Sequence, residues 1–442
     1  MSDGRERDSL EENAVFKITI NRNVNAVKTK VNSQFIKELN ELRILNLIKN
    51  EGPISRIAIA KRTNISKVAV SEIVGRLDEA GYILEIGKGS STKKGGKRPT
   101  LIKLNPCNGY VVGIEIRRVR TVVALANLES KIVDRAQIEY PAGAPMEEVL
   151  PRIFEKIEFL MQKNKIASGK LVSIGIGLPG FLDYKKGNLI FADTLKGWAD
   201  RPLAETFKDR FKVPVIIEND VNAVTLGEHL IGAGQASDNM VCIWIGEGLG
   251  AGIIVNGELI RGDYGSAGEI GYFELGHHVS NREYFRHLYS NQKYFGDVLA
   301  EEHFLETLRM KLRWGMVNPP EKLEQAPLEE LLSEKFPGSI EVQELLDEYA
   351  LLLSTLCADL VKTINPNLLI LNGKIIEHSD YLFRKTTQNL KQQMVNIPFE
   401  PTKVVLGDLK EDACILGVVV MALQVRFEPF TNKSINHIGR NR

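Results

Sequence analysis

Cysteine is scarce in this chain. Cys107, Cys242, Cys357 and Cys414 are the only four in 442 residues, all far apart, with no CxxC pair. That excludes a disulfide framework, and the plain reading is reduced core thiols in a cytoplasmic protein. Long apolar runs are missing as well. Even Ile415–Leu423 falls far short of the roughly 20 residues that a membrane-crossing helix needs. The amino end, MSDGRERDSLEENA, is charged and lacks an apolar stretch, so no secretory leader is expected. Net charge is small, at +1. Hydrophobic residues at 43% and charged residues at 26% exclude a mainly disordered or collagen-like chain. The length exceeds the roughly 250–300 residues at which one core usually splits, and about three domains are expected.

The small net charge hides an asymmetry. Residues 1–104 carry 20 Lys+Arg against 12 Asp+Glu, and the remainder 37 against 44, giving +8 and −7. A basic front end on an acidic body suggests a polyanion-binding module, against the plainer alternative of a solvated basic face.

The front end has matching periodicity. After a polar arm, 1–31, a helix is expected from about Ser33, with Leu42, Leu45 and Ile48 on its apolar face and Gly52-Pro53 ending it. Ser55 can cap a short helix to Arg62 with Ile57, Ala58 and Ala60 inward. Thr63-Asn64-Ile65 reads as a turn, and Ser66 caps a helix ending at Gly81. In that helix Val70, Ile73, Val74 and Leu77 form a buried stripe. This is the helix-turn-helix order. Ser66, Lys67, Val68, Ser71, Glu72 and Arg76 then form a candidate groove face, suited to phosphates and base edges. Two strands, Tyr82–Ile86 and Thr100–Leu104, flank a Gly/Ser/Lys loop and read as a wing. Lys93, Lys94, Lys97 and Arg98 at its tip would follow the phosphate backbone, although a flexible linker has similar composition.

Beyond Asn105 strands and helices alternate, with glycines at strand ends, which predicts α/β lobes and a cleft at the carboxyl ends of the strands. Asn219-Asp220, between a strand and a helix, can hold adjacent sugar hydroxyls, or simply cap the helix. Gly265–Tyr272 is a Gly-rich loop whose Glu269 can bridge two hydroxyls; its plainer reading is a tight turn.

Several motifs occur in order: GGKRPTL (Gly95–Leu101), IGIGLPG (Ile174–Gly180), Gly197-Trp198, IENDVNAVTLGE (Ile217–Glu228), GEGLGAGIIVNGELIRGDYGSAGEIG (Gly246–Gly271) and ILGVVVMAL (Ile415–Leu423). Through them the chain, from about Ser33 to Leu423, resembles the ROK family of sugar kinases and sugar-responsive repressors, on its xylose-type repressor side. The resemblance implies an α/β fold: a winged helix-turn-helix over 32–104, then two actin-like, ribonuclease H-like lobes over 105–225 and 226–412. The second lobe would carry dimerisation elements, and 413–442 a helix returning to the first lobe, with a tail. The family's sugar contacts fall on Gly180, Asn219, Asp220 and Glu269, with Tyr272 beside them, and its catalytic base on Asp220.

Two departures matter. Where the kinases have an acidic residue, two glycines and a threonine, this chain has Glu115-Ile116-Arg117-Arg118-Val119-Arg120, and Glu247 adds negative charge to the second phosphate loop. One of the paired adenosine-side glycines survives, in Asn372-Gly373-Lys374. Bulky side chains in place of phosphate-cradling glycines argue against ATP binding and enzymatic turnover. Arg117, Arg118 and Arg120 then read as a charged hairpin surface, with an anion site as the lesser alternative. The family's structural zinc is also not expected. Tyr272 replaces its His, and residues 273–300 contain no Cys, although His277, His278, His287 and His303 are nearby. Phe273, Tyr284, Phe285, Tyr289, Tyr294 and Phe295 are expected to pack that segment instead.

The expectation is a homodimeric repressor of double-stranded operator DNA, with a tetramer as the larger assembly to be tested, a sugar effector and no membrane partner. The alternatives are an ATP-dependent sugar kinase with an appended DNA-binding domain, and a constitutive DNA binder whose body is a dimerisation scaffold.

Overall fold

A computed structural model describes residues 33–89, 98–275, 292–315, 326–332, 340–395 and 402–427. The arm, Lys93, Lys94, Lys97, His277, His278, Tyr284, Phe285, His287, Tyr289 and the tail beyond Phe427 lie outside the described residues.

The front module runs α1 (Ser33–Glu51), β1 (Ile54–Ser55), α2 (Arg56–Thr63), α3 (Lys67–Glu79), β2 (Ile83–Lys88) and β3 (Thr100–Leu104). Each short helix starts on a serine: the Ala58 N–H donates to Ser55 Oγ, and the Ala69 N–H to Ser66 Oγ, both at 3.2 Å. Asn64, left-handed at φ 56°, ends α2 and sets the turn. Val70, Ile73, Val74 and Leu77 are buried. Three readings need correction. Ile57 is 62% exposed, and Ile59 takes its place in the core with Ala60: the inward face of α2 is Ile59, Ala60 and Thr63. Leu42 is only partly buried, and Ile44 is the inward residue of α1. The wing gains a third strand: β1 pairs with β3, giving the order β1-β3-β2.

The body holds two five-stranded sheets of one topology. The first contains β4 (Tyr110–Ile116), β5 (Arg120–Asn127), β6 (Ile132–Glu139), β7 (Leu171–Leu178) and, after the hairpin β8 (Phe181–Asp183) and β9 (Asn188–Phe191), β10 (Val215–Asn219). Its order is β10-β7-β4-β5-β6, with β4, β5 and β6 antiparallel and β7 and β10 added in parallel. The second contains β11 (Met240–Ile245), β12 (Leu249–Val255), β13 (Glu258–Leu259), β14 (Leu368–Asn372) and β15 (Lys403–Leu406). Its order, β13-β12-β11-β14-β15, repeats the same antiparallel and parallel pairings. Helices α4 (Met146–Lys163) and α5 (Leu203–Phe211) cover the first sheet. The second lobe adds α7 (Glu301–Gly315), α8 (Ile340–Ile364) and α9 (Asp380–Gln393). Cys242, Cys357 and Cys414 are buried, whereas Cys107, read as a core thiol, is exposed in the turn joining the front module to the body. Among the described residues no helix is long and apolar enough to cross a membrane.

Two helices join the halves. α6 (Asp220–Ile231) and α10 (Ala413–Phe427) pack on each other, and α10 also packs on β4 and β7. The lobe boundary read at 225/226 falls inside α6, which is one continuous helix. A Cβ on Gly417 would lie 1.9 Å from the Ala223 carbonyl, so only glycine permits this approach. The far end of α10 enters the front module. Val419, Ala422, Leu423 and Phe427 share a core with Ile44, Leu45, Ile48 and Leu77. The Lys49 ammonium lies 4.4 Å from the Phe427 ring centroid, and Asn46 donates to the Phe427 carbonyl. Asn105 and Asn108 tie the connecting turn to the Gly81 and Ala80 carbonyls at 2.9 and 3.0 Å.

Truncating Leu423 to alanine is expected to cost roughly 2–5 kcal/mol, because it leaves a cavity in a core shared by both modules. Body tryptophan fluorescence and amide protection of α1 should lose stability together in urea. A loss confined to one module contradicts the shared core.

Candidate functional site

A cavity of about 310 Å3 lies between the lobes, bordered by the ends of β4, β7 and β10 and the start of β12. It brings together all five residues read as sugar contacts: Gly180, Asn219, Asp220, Glu269 and Tyr272. Asn219 caps α6. Its Oδ1 accepts from the Val221 and Asn222 N–H groups at 2.9 and 3.1 Å, and its Nδ2 donates to the Gly180 carbonyl at 3.2 Å. Capping and a place in the cleft therefore coincide in one side chain. The Val221 N–H also donates to Asp220 Oδ1 at 2.9 Å. Burial pushes the Asp220 carboxyl up to about 6 against the opposing pull of Arg117. Glu269 is raised by burial and then by the charge of Asp220. Two carboxylates thus face one cavity as hydrogen-bond acceptors.

A buried ionic knot that the sequence reading missed supports them. Glu218, only 1% exposed, accepts from Tyr184 Oη at 2.6 Å and from Arg261 Nε and Nη2 at 2.8 and 2.6 Å. The Asn219 N–H and Asn222 Nδ2 add bonds at 3.0 and 3.2 Å. Arg261 begins the segment that ends in Glu269, so the knot fixes that segment against β10 and the start of α6. Gly268, at φ 88°, packs where a Cβ would lie 1.7 Å from the Ala251 carbonyl. The available signal for Glu218 was a carboxylate directly after the apolar run Val215–Ile217. Asp193, Thr194, Phe181 and Phe191 also line the cavity and were not singled out.

An adjoining cavity of about 340 Å3 lies on the other side of Arg117 and Glu247, which line both. Arg117, Arg118 and Arg120 line it with Glu247, Glu301 and Glu302. Arg117 is not a hairpin-surface charge. Its Nε and Nη2 donate to the buried Glu115 at 2.8 and 2.5 Å. Arg118 crosses to Glu302 of the second lobe at 3.6 Å.

Beside the Gly265–Glu269 loop, Tyr272 meets Tyr294 edge-on at 5.8 Å, and Phe295 is buried. Phe273 is 43% exposed rather than packed. Among the described residues no cluster of His, Cys, Asp and Glu could hold a metal ion. Burial lowers the pKa of His303, so its neutral form is favoured.

On the front module, Ser66, Lys67, Val68, Ser71 and Glu72 are exposed together, Val68 at 80%. The Ser66 hydroxyl is occupied as a cap. Arg76, read as groove-facing, is held by α1: its Nε and Nη2 donate to Glu41 at 3.3 and 3.1 Å, and its Nη1 to Glu72 at 3.2 Å. Arg98 is exposed at the base of the wing.

The model of the ROK family matches residues 111–425, and that of a winged helix-turn-helix DNA-binding domain matches 38–83. The chain belongs to the ROK family. It is similar to the xylose repressor of Caldicellulosiruptor bescii, 27% identical over 395 residues covering 89% of this chain and 97% of that one. The DNA-binding transcriptional dual regulator NagC of Escherichia coli is 25% identical over 375 residues, covering 83% and 89%. Among solved structures, a ROK family transcriptional regulator homologous to the E. coli MLC protein superposes with TM-score 0.72 at 21% identity, covering 91% and 99%. A ROK glucokinase from Streptomyces griseus gives 0.59 at 21% identity, covering 72% of this chain and 100% of its own.

The carboxyl of Asp220 yields a pH prediction. Its pKa is raised on folding, so its proton stabilises the native state fully below about pH 4, and that contribution is lost as pH rises through about 6. Asp220→Asn is expected to remove part of the decline in urea midpoint over that window. An identical pH profile in the variant contradicts the assignment.

Proposed function

We propose that this protein is a sugar-responsive transcriptional repressor. One observation carries the reading: a helix-turn-helix with an exposed recognition face shares its core with the helix that packs against the floor of a carboxylate-bearing cleft. The repressor names of the relatives support it. α3 enters the major groove with Lys67, Val68, Ser71 and Glu72, while Arg98 and the wing lysines Lys93, Lys94 and Lys97 follow the backbone. Ser66 sets the start of α3, and Arg76 holds α3 to α1. Two copies bind a near-palindromic operator in the cytoplasm, and pairs of dimers are compatible with the same reading. A sugar, with xylose and N-acetylglucosamine as first candidates, is held by Asp220 and Glu269, with the Gly180 and Asn219 backbone and Tyr272 beside it. Closure on the sugar shifts the population between DNA-competent and DNA-incompetent states.

We infer further that the chain transfers no phosphate, and requires neither ATP nor zinc. Supporting this, the first phosphate loop carries Arg117 paired to Glu115, and carboxylates line the adjoining cavity. A γ-phosphate would meet negative charge there rather than backbone N–H groups.

The test is gel retardation on the chain's own operator at fixed salt. Lys67→Ala combined with Val68→Ala is expected to weaken binding at least about tenfold and to flatten the salt dependence by about one ion. Sugar-induced melting shifts should persist. Unchanged retardation refutes the groove face.

A further inference from the structure

The two ends of the cleft differ in chemistry. Asp220 and Glu269 are partly buried. The rim is aromatic: Phe181 and Phe191 on the β8–β9 hairpin and Tyr272 after the sugar loop line the same cavity. Phe191 is 49% exposed and Tyr272 52%. Phe181 and Phe191 oppose each other across the hairpin and stack at 6.4 Å with their planes 28° apart. The neighbouring cross-strand pair, Leu182 and Leu189, is buried in the lobe core at 2% and 1%. Phe181 and Leu182 alternate along β8, and a register shift between the two pairs adds Ile190 on β9, so that Phe191 stays opposite Phe181 on the cavity-bordering side while the leucines anchor the hairpin. The hairpin is held by the leucines and by the Tyr184–Glu218 bond, and Phe191 is left half-exposed against a partly buried Phe181. Exposed aromatic surface beside a cavity marks a place where a ligand covers it. Next along this wall, Thr194 Oγ1 is buried without a hydrogen-bond partner, and Asp193 offers a carboxylate.

We propose that the effector is longer than one sugar ring: a disaccharide, or a glycoside of similar length. Its first ring is held by Asp220 and Glu269. The C–H face of its second ring lies on the Phe181–Phe191 platform, with Tyr272 on the same rim. A pyranose suits this division. Its hydroxyls need acceptors, while its axial C–H groups present an apolar face that an aromatic ring covers. The inference rests on the sugar-effector reading above and specifies the size of the ligand.

The experiment is calorimetric titration of the full chain with xylose, glucose and N-acetylglucosamine, and with the β-1,4-linked disaccharide of each. At least one disaccharide is expected to bind roughly three- to tenfold tighter than its own monosaccharide. Phe191→Ala should bring that ratio to about one, and Phe191→Trp should retain it, with melting curves checking that both variants fold. The inference is overturned if every monosaccharide matches or exceeds its disaccharide, or if the ratio survives Phe191→Ala. Heat from none of the six sugars overturns the sugar-effector reading itself, and this inference with it.

Discussion

Between the two sheets, α6 and α10 meet almost backbone to backbone, because Gly417 carries no side chain where the Ala223 carbonyl passes. The other functional features are arranged around that contact. The cap of α6, Asn219, and its first residue, Asp220, form part of the cleft. The last residues of α10 fill the core of the DNA-reading module. Close-packed interiors transmit displacement poorly by bending and well by shifting whole elements. A ligand that moves the start of α6 therefore acts on a helix pair whose other end sets the position of α1.

The two sides of the interlobe cleft are built differently. One side holds the carboxylates of Asp220 and Glu269, backed by the knot of Glu218, Tyr184 and Arg261. Removing one member of such a buried pair is costly, since it strands the other charge in a low-dielectric setting. The opposite side carries Arg117 on Glu115 and an ion pair from Arg118 to Glu302 across the lobes. That exposed pair supplies only a small energy in water, on the order of 0–1 kcal/mol, and spans the gap between the lobes.

Local rules made much of this legible. Ser55 and Ser66 as caps, the stripe Val70–Leu77 and the apolar strands follow from short-range spacing, and the structure has them. The pocket residues were legible through ordered motifs, which is why Gly180, Asn219, Asp220, Glu269 and Tyr272 converge. Long-range partners were not. No spacing rule connects Glu41 to Arg76, or Glu218 to Arg261. Phe427 lies in a helix that is apolar on nearly every side, so periodicity says only that it is buried, not against what. β1 is two residues long, too short for a pattern. Ile57 and Ile59 exchanged roles because a helix of eight residues, with apolar side chains on more than one side, does not itself define which face docks inward.

The central claim is mechanical continuity from cleft to DNA-reading module, and hydrogen exchange tests it most directly. The full chain is compared with and without whichever sugar raises its melting temperature. The account predicts that amide protection changes together in residues 219–231, 413–427 and 33–51. Changes confined to the residues around the cleft, with α10 and α1 unaltered, would contradict it.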